Sequence, residues 1–298
     1  MGAAKTSGSD VRRCRGATRV IIDAHQHFWD LSRGDYPWLT PEAGVLYRNY
    51  LPEDLERTLR ENDVTATVLV QAAASEAETH YLLELARAHS FIAGVIGWTD
   101  FEAPDAPRRI ASLAAAGGNK LKGLRPMIQD IVDPTWVTRP TLDAAFDALI
   151  AHDLAFDALV KPIHLEPLHT RLSRHPRLRA VLDHAGKPDI ANGSYAAWAE
   201  PLERLARDTS SYCKLSGLLT EAAARNSAHE LAPYVAHVFS SFGPERVLWG
   251  SDWPVLNCAS TYAHWLELSQ ELVTRFAAGY GDAVMAKTAH RFYRLALD

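Results

Sequence analysis

RVIIDAHQHFWD (residues 19–30) begins as an apolar, β-branched run and ends on two histidines one residue apart, followed by Phe28 and Trp29. Such a run reads as a buried strand with a polar tip. Two parallel α/β architectures begin that way. A doubly wound open sheet would place a glycine-rich phosphate loop after this first strand, and HQHFWD contains no glycine. A barrel of eight βα units instead carries its chemistry at the C-terminal ends of its strands, which is where these histidines would lie. Because side chains two apart on a strand share a face, His25 and His27 project to the same side.

Working outward, short aliphatic runs alternate with helical patterns. The strand candidates are residues 19–25, 66–73, 91–98, 120–127, 155–162, 179–186, 211–217 and 246–253; between them, residues 52–62, 79–89, 141–153, 195–208 and 228–239 read as amphipathic helices. Pro52 and Pro201 are placed in first helical turns, where proline is tolerated. Eight strands, each followed by a helix, are expected to form a single (β/α)8 TIM barrel over residues 19–298. Residues 1–18, small, polar and basic, are expected to be a disordered leader.

The net charge of −5, with acids and bases interspersed along 298 residues, gives no basic stripe for nucleic acid. No apolar stretch is long enough to span a membrane. Cys14, Cys213 and Cys258 are too few and too scattered for a disulfide framework or a cysteine-rich zinc site, and a cytoplasmic setting is expected. Monomer and homodimer both remain open.

The polar residues at the expected strand ends are Asp23, His25 and His27; Lys122 and Arg125; Asp183, His184 and Lys187; Lys214 and Ser216; and Asp252. The paired imidazoles suit either a zinc ion or a substrate oxygen, or form an incidental pair on the rim. Asp252, between Ser251 and Trp253 after an apolar run, is placed to take a proton from water; the competing reading has it cap the next helix or pair with Arg246. His184 is either a site residue or a core histidine bonded by Asp183. Lys122 and Arg125 alternate with apolar residues and either meet substrate or form a solvated edge. Trp29, Trp38 and Trp253 offer flat apolar faces for a sugar ring, against a plain packing role.

Taken together, DAHQHFWD, YPWL, VQAAASEAET, KGLRPM, LDHAGKP, KLSGL and LWGSDWP, in this order from about residue 20 to about residue 295, resemble the amidohydrolase-related lactonases of the amidohydrolase superfamily, most closely its L-fuconolactonase-like sugar lactonases. The resemblance implies an amidohydrolase-like barrel that opens a sugar lactone to the aldonic acid, a hydrolase of carbohydrate catabolism acting on a small molecule. It implies Asp252 as the group that handles the proton of the attacking water, with His25, His27 and His184 polarising the carbonyl and Lys122, Arg125, Trp29, Trp38 and Trp253 binding substrate. Metal-dependent members add a histidine at the end of strand five or a lysine or glutamate on strand four. Strand five here ends in Val160-Lys161-Pro162, with His164 only after the proline. The resemblance therefore implies that no metal is required; a zinc ion, where bound, would take His25, His27, His184 and Asp252. TAHRFYRL near the C-terminus carries Thr288 where the family has asparagine. A dicarboxylated pyrone would demand several cations, and only Lys122 and Arg125 stand out at strand ends, which favours a neutral ring. Two rivals remain: a zinc-dependent amidohydrolase or decarboxylase on the same barrel, and a non-catalytic sugar-binding module.

Overall fold

All eight expected strands form, each shorter than its apolar run: β1 Ile22–Gln26, β2 Ala66–Val70, β3 Ile92–Gly97, β4 Leu121–Leu124, β5 Ala155–Ala158, β6 Ala180–Leu182, β7 Tyr212–Leu215 and β8 Val247–Trp249. The computed structural model describes residues 20–297. Every neighbouring pair is parallel and the strands follow one another in sequence order. The gap between β8 and β1 is bridged by residues just past β8: Asp252 N donates to His25 O at 2.8 Å and His27 N to Trp253 O at 2.7 Å. The closure is locked by Asp23, fully buried, whose carboxylate accepts from Ser251 N and from the Tyr262 hydroxyl. Burial pushes the Asp23 carboxyl up to about 6, against the lowering effect of those donors.

The outer ring comprises α1 Pro52–Glu61, α2 Glu76–Ala88, α3 Ala106–Gly117, α4 Asp143–Ala151, α5 Leu165–Arg174, α6 Ala196–Asp208, α7 Leu218–Ala222, α8 Ala228–Phe242 and α9 Tyr262–Phe276, and the chain ends in α10 Thr288–Tyr293 at the barrel floor. α2 starts three residues earlier than its apolar pattern because the Ser75 hydroxyl accepts from Glu78 N and caps it. Pro201 lies well inside α6, not in a first turn as expected, so the carbonyl one turn earlier lacks its usual partner. Residues 1–18, read as a leader, lie outside the described residues. Among the described residues, no helix is long and apolar enough to cross a membrane.

Two apolar cores result. One fills the layer between strands and helices; the other lies inside the barrel, where Ile22, Val68, Ile96, Val181 and Leu248 meet Phe292, Tyr293 and Leu295 from the C-terminal segment. That segment plugs the floor, the end from which the strands rise. Thr288, in the asparagine place, is buried and donates to Glu245 O at 3.4 Å, and Arg291 donates to the same carbonyl at 2.6 Å.

The floor also corrects one expectation. Lys122 is not a substrate-binding residue at the mouth: its ammonium donates to Arg294 O at 3.0 Å and lines a floor cavity with Arg179 and Tyr293. It is the second residue of β4, about 10 Å of strand below Arg125. Burial lowers the basicity of its amine, and Arg179 and Lys120 lower it further.

Candidate active site

At the opposite end, a cavity of about 330 Å³ opens between the loops that follow the strands; His27, His184, Asp252, Arg125, Asp130 and Lys187 supply its charged and imidazole lining. Three of these stand on left-handed backbone, His184 and Lys187 at φ 52° and Asp252 at φ 60°. Residues with a Cβ seldom adopt that conformation, and its occurrence under reactive side chains marks a place where aim outweighs local strain. Gly217 lets His184 stand there, because a Cβ at Gly217 would come within 2.6 Å of His184 Nδ1.

Asp252 Oδ1 lies 3.3 Å from His27 Nε2, 3.7 Å from His25 Nε2 and 3.8 Å from His184 Nε2. The sequence-read quartet therefore converges, although His25 sits beneath the other three and is fully buried. Each imidazole has a fixed orientation: His27 Nδ1 donates to Val70 O at 2.8 Å, and His184 Nδ1 is 2.9 Å from Ser216 Oγ. Burial holds His184 down to about 4, with Asp252 and Asp183 opposing. Burial likewise holds His25 well below the usual histidine range, helped by the nearby Lys214 ammonium. Burial raises the Asp252 carboxyl, yet the charge of His184 and His25 and the His27 contact outweigh it and leave it well below the usual carboxylate range. Because His184 and His25 are uncharged above acidic pH, their charge no longer stabilises Asp252 at neutral pH, where its desolvated carboxylate keeps the contact with His27 Nε2.

Beneath the cavity runs a charged layer that the sequence reading named only in part. Lys214 on β7, fully buried, donates to Asp157 Oδ2 at 2.6 Å and to His25 Nδ1 at 3.1 Å and pairs with Asp183 Oδ1 at 2.9 Å. Arg125 Nη1 donates to Asp183 Oδ2 at 3.2 Å, and its other nitrogen is bonded to Gln71 O. The signal for Lys214 is a lone charge inside the apolar run YCKLSG, which inside a barrel demands an acidic partner. Glu78 was missed entirely. It is fully buried on α2 and accepts from Ala72 N at 2.9 Å and Ala73 N at 2.9 Å, holding the loop after β2. Burial pushes its carboxyl up to about 7 against those backbone donors. Its position four residues before buried Leu82, on the helix face turned inward, was the available clue.

The aromatics divide. Trp38, 41% exposed, and Trp29 line the cavity and meet edge to face at 5.4 Å, with the Trp38 indole donating to Ala72 O at 2.8 Å. Trp253 is not a substrate-binding residue: it turns away from the cavity and packs on Phe28 and Tyr50. Closing the barrel through its carbonyl sends its side chain into the outer core.

The donor set suits a zinc ion. A tetrahedral ion with bonds near 2.0–2.1 Å sets its ligand atoms about 3.3 Å apart; His25 Nε2, His27 Nε2 and Asp252 Oδ1 are separated by 3.2, 3.3 and 3.7 Å. His25, Asp183 and His184 form a second group close enough to share a cation. The strand-five position offers no further ligand, since the His164 ring accepts from Lys161 N at 3.0 Å.

The profile of a family described as amidohydrolase matches residues 22–295. An L-fucono-1,5-lactonase of Burkholderia ambifaria is 44% identical over 278 residues, covering 92% of this chain and 95% of that protein. An L-fucono-1,5-lactonase of Burkholderia multivorans is 38% identical over 298 residues, covering 94% and 97%. An amidohydrolase of Burkholderia multivorans, solved with bound zinc, superposes with a TM-score of 0.86 at 36% identity, over 93% of this chain and 100% of that one.

Proposed function

The chain belongs to the amidohydrolase family, and we propose that it hydrolyses a sugar lactone to the aldonic acid, with Asp252 activating water. The observation that carries this reading is the desolvated Asp252 carboxylate standing in the wall of a sugar-sized cavity, ringed by oriented imidazoles. The two L-fucono-1,5-lactonases, each matched along nearly its whole length, support the substrate class.

In the proposed reaction Asp252 takes a proton from a water above it while the oxygen attacks the lactone carbonyl. A hydroxyl donation from Ser216 to His184 Nδ1 leaves the proton on Nε2, facing the cavity, where it meets the developing oxyanion. The tetrahedral adduct then collapses, the carbon–ring-oxygen bond breaks, and Asp252 returns its proton to the departing oxygen. Acid–base assistance of this kind contributes roughly 10²–10⁴-fold. His27 holds Asp252 through the 3.3 Å contact at Oδ1, with His25 beneath them. A zinc ion, where bound, would be held by His25, His27 and Asp252 and would supply Lewis-acid polarisation of the carbonyl.

The lining favours a neutral polyhydroxylated ring. Gln129 Oε1 is buried without a partner and Asp130 lies beside it, so acceptors await hydroxyl donors. Arg125 is committed to Asp183 and Gln71, and Lys187 to Glu221 at 3.2 Å, which leaves little positive charge for a dicarboxylate. Met127, Leu159 and Val255 add an apolar wall suited to a deoxy carbon. L-Fucono-1,5-lactone is the leading candidate. A pH-indicator assay over a panel of aldonolactones, with and without chelator, should show acid release greatest with L-fucono-1,5-lactone or a close stereoisomer. No release from any aldonolactone, with or without added zinc, would remove the reading and leave the binding module.

A further inference from the structure

Ser75-Glu76-Ala77-Glu78 has the form of a capping box, in which a serine caps the first helical turn and a glutamate three residues on bonds back to the serine's own N–H. The serine half is present, since Ser75 Oγ accepts from Glu78 N at 3.2 Å. The glutamate half is diverted. Ser75 N donates to Ala73 O at 2.9 Å, and the Glu78 carboxylate reaches past it to the loop after β2, where Ala72 N donates to Oε1 at 2.9 Å and Ala73 N to Oε2 at 2.9 Å. A capping-box carboxylate ordinarily stays in water; this one is fully buried, and desolvation disfavours its charge. The Ala72–Ala73 peptide carries the consequence further. Its N–H goes to Glu78, and its carbonyl, pointing the opposite way as a trans peptide requires, accepts from the Trp38 indole at 2.8 Å. Ala72 and Trp38 both line the cavity. Tyr36, two residues before Trp38, brings a buried hydroxyl near the same carboxylate, and burial first and then the Glu78 charge push that hydroxyl up.

We propose that Glu78 is a positioning residue for substrate binding: by holding the Ala72–Ala73 peptide it fixes where the Trp38 indole stands over the cavity. Trp38 lies on the loop after β1 and is 41% exposed, so its edge contact with Trp29 covers only part of it and the bond to Ala72 O sets its direction. A carboxylate on the N–H of a peptide strengthens the carbonyl of that peptide as an acceptor, so carboxylate, peptide and indole act as one series. An indole face against the carbon side of a sugar ring serves ground state and transition state alike, and the effect therefore falls on KM rather than kcat. The inference takes its substrate from the lactonase reading, while the placement of Trp38 stands on geometry alone.

The test is a double-mutant cycle on turnover of L-fucono-1,5-lactone. Glu78→Gln keeps the shape but offers a single acceptor oxygen to the two N–H groups, and Trp38→Phe keeps an aromatic ring but loses the indole N–H. Each alone should raise KM by about tenfold with kcat changed by less than about twofold, and in the Trp38→Phe background Glu78→Gln should add less than about twofold. Additive increases, or a fall in kcat that matches the rise in KM, would overturn the proposal. A second readout needs no substrate. In the full chain labelled with 5-fluorotryptophan, the ¹⁹F signal that vanishes in Trp38→Phe should shift or broaden in Glu78→Gln, while the signal of Trp265 in the outer core, assigned through Trp265→Phe, stays in place. An unmoved Trp38 signal overturns the proposal whatever the substrate. Absence of turnover with every aldonolactone removes the lactonase reading and leaves this spectrum to decide the role of Glu78. Should Glu78→Gln fail to fold, seen as loss of the Trp265 signal, Trp38→Phe alone carries the test, and an unchanged KM there overturns the proposal.

Discussion

At the residue scale, His184 sets the acid limit of the reaction. Held down to about 4 by burial, it is neutral through the working range, and its protonation would pair it with Asp252 and withdraw the base. The sign follows from the lowered value: activity is present above about pH 4 and is lost as pH falls through it. A profile of kcat/KM against pH should therefore be flat near neutrality with its acid limb near pH 4. A limb centred near the ordinary histidine value would mean that His184 is solvated and outside the mechanism. This residue, with His25, His27 and Asp252, was legible in the sequence because strand ends in a barrel converge and because the motifs recur in a known order. Lys122 was misread because charge inside an apolar strand does not say at which height the side chain leaves the barrel wall. Lys122 points to the floor and Lys214 to the layer under the cavity, yet each appears in the sequence as a lysine within a short aliphatic run.

At the element scale, the turns after the strands decide whether the side chains aim correctly. Gly217 follows β7 at φ 66°, with the His184 ring against its missing Cβ. Gly217→Ala adds backbone strain of about 1 kcal/mol for the left-handed conformation and pushes the ring away. The expected result is a fall in kcat of at least about tenfold with a modest loss of stability, measured by steady-state kinetics and thermal unfolding. Unchanged kcat would mean that the position of His184 is not critical. Element existence was readable because each βα unit repeats the same apolar-then-amphipathic pattern. Element edges were not, since caps such as Ser75 act outside the periodic residues. Trp253 shows the same limit: its neighbour Asp252 faces the cavity, and alternation together with barrel closure turns the indole into the outer core.

At the scale of the whole molecule, one end of the barrel is chemistry and the other is closure. Phe292 stacks on Tyr212 at 4.7 Å and fills the floor with Tyr293, whose hydroxyl donates to Asp157 at 2.7 Å. Phe292→Ala is expected to cost about 3–5 kcal/mol of unfolding free energy, read from urea denaturation, with kcat in the folded fraction nearly unchanged. A loss under about 1 kcal/mol would show that the plug contributes little to closure. The barrel itself was evident from the count of βα units, whereas the plug was not: TAHRFYRL looks like a terminal helix, and only the three-dimensional arrangement puts it inside the strands.

The central claim is that the Asp252 carboxylate carries water's proton during lactone opening, and Asp252→Asn tests it most directly, because the amide keeps shape and loses basicity. Turnover of L-fucono-1,5-lactone and binding of its aldonate product by calorimetry should be measured on the same preparation. The account predicts a fall in kcat of roughly 10²–10⁴-fold with product affinity little changed. Wild-type kcat in the variant, or a loss of binding that matches the loss of rate, would contradict it.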